Sequence, residues 1–400
     1  MKQHILIIGA GFAGLWSALS AARLLDLNGR RDVDITLLAP QAELRIRPRF
    51  YEPEVHTMFA PLDALLDVVG VRFVQGSATL IDEQENSVGY TDAAGVARSL
   101  RYDRLVLATG SHLSRPAVPG LDRHAFDVDQ IESATQLERH LQSLKDRPAS
   151  AARNTVVVAG GGFTGIETAT EMPQRLRAVL GEDTDIRVIV VDRGPQIAAV
   201  MGDQIRVPII DASKHLGIEW IVGTGVASLD DKGVNLSDGS RIDAQTVIWT
   251  VGFRASALTE QLSSVRDAQG RLHVDANLKV FGQANVFAAG DVAYAATDDL
   301  GNFAAMSCQH AIALGRHAGN NVAADLLGLA PTPYRQPKYV TCLDLGAWGA
   351  VYSEGWDRQV KLVRQPAKEL KTQINTQWIY PPVADRATAL AAADPMIPVA

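Results

Sequence analysis

Cysteine is scarce in this chain of 400 residues, which contains only Cys308 and Cys342. Two cysteines are too few for a disulfide scaffold. They do not form a CxxC pair, which excludes a dithiol redox centre of that kind. So little cysteine is typical of a protein from a reducing compartment.

Runs of positive charge and long apolar stretches are also missing. The formal net charge is −7, and no basic segment interleaved with aromatic residues suggests a nucleic-acid partner. No uninterrupted apolar stretch reaches transmembrane length. The short apolar run before Gly9 is interpreted as a buried strand rather than a signal peptide. The remaining composition, with 47% hydrophobic residues, is that of a globular protein with two or three domains.

Two glycine fingerprints are the most informative motifs. One follows the apolar run 5–8, the other follows the run 156–158, and each precedes a helical pattern. The glycines of a GxGxxG motif permit a tight turn, close approach of a pyrophosphate and close helix–strand packing. One chain with two such motifs suggests electron transfer between two dinucleotides. The cofactor-binding residues assigned to them are Gly9, Gly11, Phe12, Ala13, Gly14, Gly160, Gly162, Thr164 and Gly165.

Three further short signatures complete the pattern: Ala108-Thr109-Gly110, Trp249-Thr250-Val251-Gly252 and Ala289-Gly290-Asp291. With the fingerprints, they resemble the flavin-dependent pyridine nucleotide oxidoreductases. Within these, segment 160–169 is similar to the GGGxTGxExA motif of the type II NADH dehydrogenases, which reduce quinones. The resemblance covers residues 4 to about 330 well and residues 331–400 loosely.

The resemblance implies an α/β fold with two Rossmann-like dinucleotide-binding domains, the second inserted in the first. We expect an FAD domain at 1–112 and 275–330, an NAD(P)H domain at 113–274, and a small C-terminal interface or tail region at 331–400. Residues 54–70 are predicted to be a helix interrupted near Pro61.

Catalytic roles are implied for Glu167 and Gln309. Glu167 would lie near the nicotinamide and the flavin and relay a proton, because hydride transfer supplies at most one of the two protons that a quinone needs. The alternative is an ordinary glutamate in the first turn of a helix. Gln309 falls where the family carries AQxAxQQG beside the quinone. The glutamine pair of that motif is replaced here by Ala313-Leu314, which alters the predicted acceptor pocket.

The acidic residue that usually binds the ribose is present in the predicted NADH site but absent from the predicted FAD site. Asp192, at the end of a strand, would bind the ribose of NADH and repel the 2′-phosphate of NADPH, although Arg193 could weaken that preference. The FAD site lacks its usual ribose-binding acid, because Ala39 stands there, so main chain or Gln41 would hold the adenosine. No metal site is predicted. The remaining cofactor-binding residues are Arg47, Pro48, Ala78, Ala108, Thr109, Gly110, Gly252, Gly290 and Asp291, of which Asp291 would hold the ribityl chain.

The electron acceptor stays open at this point. A quinone-like acceptor is the first interpretation. The second is a soluble flavin oxidoreductase that acts on a small metabolite, which Ala313-Leu314 and the short C-terminal tail favour. If Arg49 faces the pocket, it would favour an acceptor that carries a carboxylate. A sulfide:quinone oxidoreductase is a weaker alternative, because two cysteines do not reproduce the usual set of that family and Cys308 is expected to be a buried small hydrophobe. A non-catalytic redox sensor is the weakest, because Glu167 and both fingerprints are intact.

The C-terminal region bears on membrane attachment. Leu370, Ile374 and Trp378 recur every four residues and form a narrow apolar stripe. Such a stripe packs on its own domain more often than on lipid, so membrane association is expected to be weak or absent. We expect a cytoplasmic protein, either free or peripheral on the inner face of the membrane, and a homodimer is left open.

Overall fold

The computed structural model describes residues 2–263 and 265–398. Residues 1, 264, 399 and 400 belong to the expected domain ranges but lie outside the described residues. Apolar runs of valine, isoleucine and leucine form the central strands, as expected of parallel strands buried on both faces. The helices and one π-helical turn alternate with these strands. They are Phe12–Leu27, Asp63–Val69, Leu121–His124, Ile131–Ser143, Phe163–Leu180, Asp203–Leu216, Cys308–Leu327, Arg364–Gln373, Ile374–Trp378 (the π turn) and Arg386–Ala392.

A seven-stranded sheet carries the first fingerprint. Its first five strands are parallel and its last two form an antiparallel meander. The last of these five parallel strands in chain order, Val286–Ala288, returns to this sheet after the strands of the second sheet. In spatial order the strands are Val286–Ala288, Arg104–Leu107, Gln3–Ile8, Val33–Ala39, Val71–Asp82, Ser87–Asp92 and Ala97–Arg101.

A four-stranded parallel sheet carries the second fingerprint. Its strands, in spatial order, are Ile218–Val222, Arg187–Asp192, Thr155–Ala159 and Thr246–Trp249. Because this sheet lies between two parts of the first in sequence, the predicted α/β fold with an inserted dinucleotide-binding domain is confirmed. The individual domain bounds stay a prediction.

Shorter sheets flank the two large ones. One of them, Val340–Asp344, Ala350–Glu354 and Gln359–Val363, forms the C-terminal region together with the helix Arg364–Gln373. The others are Val226–Asp230 with Gly233–Leu236 and Arg241–Asp243, Ser111–Leu113 with Phe253–Ala255, Leu272–His273 with Ala293–Tyr294, and Glu43–Arg45 with Phe59–Pro61.

The helix predicted over residues 54–70 is wrong in its first half. Phe59–Pro61 is a strand that pairs with Glu43–Arg45, and only Asp63–Val69 is an α-helix. Proline lacks a backbone N–H and is tolerated at the edge of such a two-stranded pair. None of the described helices combines the length and the apolar character that a membrane span needs.

Candidate active site

A single cavity of about 1330 Å³ joins the two fingerprints. It runs between the carboxyl ends of the central strands, where ligands of open α/β sheets bind. The C-terminal region closes one side through Lys371 and Asn375. Of the residues assigned from the sequence, the cavity is lined by Gly9, Gly11, Phe12, Ala13, Arg47, Pro48, Ala108, Thr109, Gly110, Gly162, Thr164, Glu167, Gly252, Gly290, Asp291 and Gln309.

Five assigned residues do not line the cavity: Gly14, Gly160, Gly165, Asp192 and Ala78. A Cβ on Gly14 would lie 1.7 Å from the carbonyl oxygen of Gly9, and one on Gly165 would lie 1.9 Å from that of Gly160. These two glycines therefore bring each helix close to its strand. Ala78 pairs with Tyr90 in the sheet, and its contact with a cofactor stays a prediction.

The first fingerprint forms a cradle that suits FAD. Gly9 has a φ of +107°, and a Cβ there would lie 2.3 Å from the carbonyl oxygen of Ala108. The Thr109 hydroxyl, in the predicted signature, is buried without a hydrogen-bond partner among the described residues. A close backbone approach and an unpaired polar atom are what a bound dinucleotide would use. The residues present therefore fit FAD.

The region around Asp291 is rich in hydrogen bonds. Ser111 Oγ donates to Asp291 Oδ2 at 2.7 Å, and Arg47 Nη1 donates to Ser111 Oγ at 2.9 Å. Arg47 is also paired with Asp129, and its guanidinium lies 4.9 Å from the centre of the Phe253 ring. Burial raises the pKa of Asp291 above its ordinary value. These contacts hold Arg47 and Asp291 in fixed positions beside the cavity.

The adenosine end of the FAD site has no acid on the strand that usually supplies it. Ala39, Pro40 and Gln41 line the cavity there. Gln75 Nε2 donates to the carbonyl oxygen of Pro40 at 3.0 Å and so supports this segment. Binding of the adenosine by Gln41 or by main chain stays a prediction.

Asp192 holds the turn of the second fingerprint. Its carboxylate accepts hydrogen bonds from the N–H groups of Gly161 and Gly194, both at 2.7 Å. Arg193 is exposed and packs beside Gly225, where a Cβ would lie 2.7 Å from its Nε. Asp192 thus ends its strand beside an exposed cation, and its contact with the ribose of NADH stays a prediction.

Glu167 forms a buried ion pair with Lys371. Its Oε1 accepts hydrogen bonds from Lys371 Nζ at 2.8 Å and from the N–H of Asp344 at 3.0 Å. Lys371 Nζ also donates to the carbonyl oxygen of Cys342 at 3.0 Å. Burial raises the pKa of Glu167 to about 7, although Lys371 opposes the shift. Burial lowers the pKa of Lys371, but the charge of Glu167 outweighs it and the pKa ends above its ordinary value.

Lys371 was missed as a functional residue by the sequence reasoning. It directly follows Leu370 in the apolar stripe of Leu370, Ile374 and Trp378. All three stripe residues line the cavity, and they do so from the same helical segment as Lys371. A lysine is seldom buried without a partner. Its position within an apolar stripe was therefore the signal in the sequence that could have indicated a buried ion pair.

Arg49 does not line the cavity, so the structure does not support its predicted role as a carboxylate clamp. Its guanidinium contacts Glu52, with 2.7 Å between Nη2 and Oε2, and donates to Tyr380 Oη at 3.2 Å. The charge that was to attract an anionic acceptor is thus neutralised by a residue three positions away.

The helix Cys308–Leu327 contributes less to the cavity than predicted. Gln309 lines it, and its Oε1 is buried without a partner among the described residues. Ala313 and Leu314 are buried but do not line it, so the predicted alteration of the acceptor pocket cannot act through direct contact. Cys308 lines the cavity and is partly buried rather than buried as expected; desolvation still raises the pKa of its thiol to about 11.

Comparisons with known proteins identify the family of this chain. The family model described as pyridine nucleotide-disulphide oxidoreductase matches residues 3–315. An NADH dehydrogenase-like protein of Mycobacterium tuberculosis is 46% identical over 401 residues and covers 98% of each chain. A demethylphylloquinone reductase of Synechocystis is 30% identical and covers 96% of this chain and 97% of its own.

Among solved structures, NDH2 from Plasmodium falciparum in complex with NADH matches with a TM-score of 0.80 over 98% of both chains. At 14% sequence identity, that likeness concerns the fold. The chain belongs to the pyridine nucleotide-disulphide oxidoreductase family, which makes it an oxidoreductase with FAD and a nicotinamide dinucleotide as its implied cofactors.

Proposed function

We propose that this protein passes a hydride from NADH to FAD and then reduces a quinone-like acceptor. The observation that carries the proposal is the single cavity that contains both fingerprints and the Glu167–Lys371 pair. The names of the relatives support it, since they include an NADH dehydrogenase-like protein and a demethylphylloquinone reductase.

The second fingerprint would position the nicotinamide dinucleotide. Gly162 and Thr164 line the cavity at the start of the helix Phe163–Leu180, whose free N–H groups and dipole suit a pyrophosphate. FAD, when bound, supplies the hydride-accepting and two-electron chemistry. The chain supplies position, the exclusion of water and the charges around the cavity.

Glu167 would supply a proton to the acceptor. A pKa of about 7 leaves part of the population protonated at neutral pH, which is the range in which a general acid works well. Lys371 keeps its charge and fixes the carboxyl group, so that the proton is held at one place in the cavity wall. The proton would move from Glu167 to the acceptor oxygen as the electrons arrive.

An acceptor screen on the purified protein tests the proposed function. NADH should reduce the bound flavin under anaerobic conditions, and menadione and ubiquinone-1 should then reoxidise it. Ferricyanide, oxygen and small aromatic metabolites are the comparison acceptors. Reoxidation by a metabolite alone would replace the quinone-like acceptor, and the absence of NADH-driven reduction would overturn the whole proposal.

NADH should reduce the flavin faster than NADPH does. The 2′-phosphate of NADPH would meet Asp192, and an unfavourable contact of about 1–3 kcal/mol corresponds to roughly 5- to 150-fold in rate. Stopped-flow reduction at matched concentrations measures the ratio. Asp192→Asn removes the negative charge and should bring the ratio of the two reduction rates closer to one. A preference for NADPH would mean that Arg193 dominates the site.

We further propose that membrane association is weak or absent. The support is that Leu370, Ile374 and Trp378 line the protein's own cavity rather than forming a separate apolar face. In flotation with anionic liposomes, the protein should remain mainly in the unbound fraction. Trp378 is about half exposed, so Trp378→Gln is the informative control. Strong co-flotation that this change abolishes would contradict the proposal and restore a peripheral location on the membrane.

A further inference from the structure

The C-terminal helix changes geometry where it reaches the cavity. Arg364–Gln373 is α-helical, whereas Ile374–Trp378 forms a π turn. Single π turns inside helices occur frequently at functional sites. This one brings Ile374, Asn375 and Trp378 to the cavity wall, one turn after Lys371.

The amide of Asn375 has a fixed orientation. Its Nδ2 donates to Glu52 Oε1 at 2.9 Å. An ionised carboxylate accepts hydrogen bonds and cannot donate them, so the Nδ2 side of the amide must face Glu52. Arg49 holds Glu52 in turn through its guanidinium, at 2.7 Å. The carbonyl oxygen of Asn375 therefore cannot exchange places with Nδ2 without losing this contact.

That carbonyl oxygen is a buried hydrogen-bond acceptor without a donor. Asn375 is only 5% exposed, and its Oδ1 has no hydrogen-bond partner among the residues that the structure describes. A buried polar atom without a partner is costly, and most such atoms in proteins are paired. Asn375 lines the cavity, so a bound ligand whose donor group contacts Oδ1 would satisfy this atom.

The two redox forms of a quinone differ in that respect. Each oxygen of the oxidised form only accepts hydrogen bonds, so it would meet Oδ1 as a second acceptor. Reduction adds two electrons and two protons, and each oxygen becomes a hydroxyl group that donates. Asn375 Oδ1 is a hydrogen-bond acceptor whose orientation is fixed by Glu52. It therefore discriminates between the quinone and its reduced form by hydrogen bonding alone.

We propose that Asn375 Oδ1 accepts a hydrogen bond from the hydroxyl group that forms on the electron acceptor, so that the site binds the reduced form more tightly than the oxidised form. This rests on the proposed function, because it assumes an acceptor that gains a hydroxyl. Asn375 is then a specificity-determining residue, and Glu52 and Arg49 act through it as positioning residues.

Equilibrium binding to the oxidised enzyme tests the proposal without turnover. Menadiol and menadione are titrated anaerobically, and the change in flavin absorbance gives each Kd. Wild type should bind menadiol about ten-fold more tightly than menadione, as one additional hydrogen bond in a buried site would give. Asn375→Leu should bring the ratio close to one. Gln377→Leu, in the same π turn but exposed and outside the cavity, should keep the wild-type ratio.

An unchanged ratio in Asn375→Leu would overturn the proposal, as would a wild type that binds both forms equally. If that variant does not fold, menadiol dimethyl ether decides on the wild type. It lacks the donor hydroxyl and should lose the ten-fold advantage, and equal affinity for ether and menadiol would also overturn the proposal. A protein that prefers menadiol through Asn375 but reduces no quinone with NADH would support the binding role and refute the proposed function.

Discussion

Replacing Glu167 with glutamine should slow reoxidation of the reduced enzyme by a quinone about 100-fold, whereas reduction of the flavin by NADH should change little. Glutamine keeps the shape of the side chain and a hydrogen bond to Lys371, but it has no proton to give. General acid catalysis typically accelerates a reaction 10²- to 10⁴-fold. The expected ~10²-fold loss of rate is therefore at the lower end of that range. Stopped-flow measurement of the two half-reactions separates the effects.

The pH profile adds a second measurement for the same residue. An acid with a pKa of about 7 is protonated below that value, so the wild-type rate of reoxidation should be full in mild acid and fall as the pH rises through about 7. Glu167→Gln should lose this dependence. Glu171 offers a matched control, because burial raises its pKa to about 7 as well, yet it does not line the cavity. If Glu171→Gln flattened the profile instead, Glu167 would be a structural residue.

Replacing Gly14 with alanine should destabilise the protein by about 3 kcal/mol or more and abolish stoichiometric FAD binding. The new Cβ would lie 1.7 Å from the carbonyl oxygen of Gly9 and 2.8 Å from its carbonyl carbon. Both are backbone atoms, so no side-chain rotation relieves the overlap, and helix and strand must separate. Thermal unfolding and the FAD content, measured after acid release and chromatography, report the two effects.

Gly11→Ala is the matched control for this prediction. No atom lies within 4 Å of a Cβ at Gly11, which nevertheless lines the cavity. The Tm of the flavin-free variant should therefore equal that of the flavin-free wild type, while its affinity for FAD should fall. Equal stability of the Gly14 and Gly11 variants would contradict the packing role of the third glycine. Release of FMN instead of FAD would contradict the assignment of the first fingerprint.

The nucleotide-binding half of the site could be predicted because its determinants are local. Each fingerprint directly follows an apolar strand, so the glycines and the carboxyl end of the strand come from one short segment. Asp192 likewise follows directly from its strand, but its contact with the nucleotide stays a prediction. Local sequence therefore predicted most residues that line the cavity near the two fingerprints.

The acceptor side could not be predicted in the same way. Lys371 lies 204 positions after Glu167, and neither residue type carries a local signal for the other. The charge on Arg49 was misjudged for the opposite reason, since its partner Glu52 was visible three residues away. Ala313 and Leu314 were placed by the register of a family motif alone, and that register does not tell which side chains reach the cavity.

The position of Lys371 late in the chain has a consequence for biosynthesis. Both fingerprints and the later Asp291 leave the ribosome before the segment that carries Lys371 and Asn375, so the residues expected to hold FAD are present while the acceptor wall is still missing. In a nascent or prematurely ended chain, Glu167 would face the cavity without its counter-charge. The acceptor side of the cavity is therefore formed by one of the last parts of the chain to be synthesised.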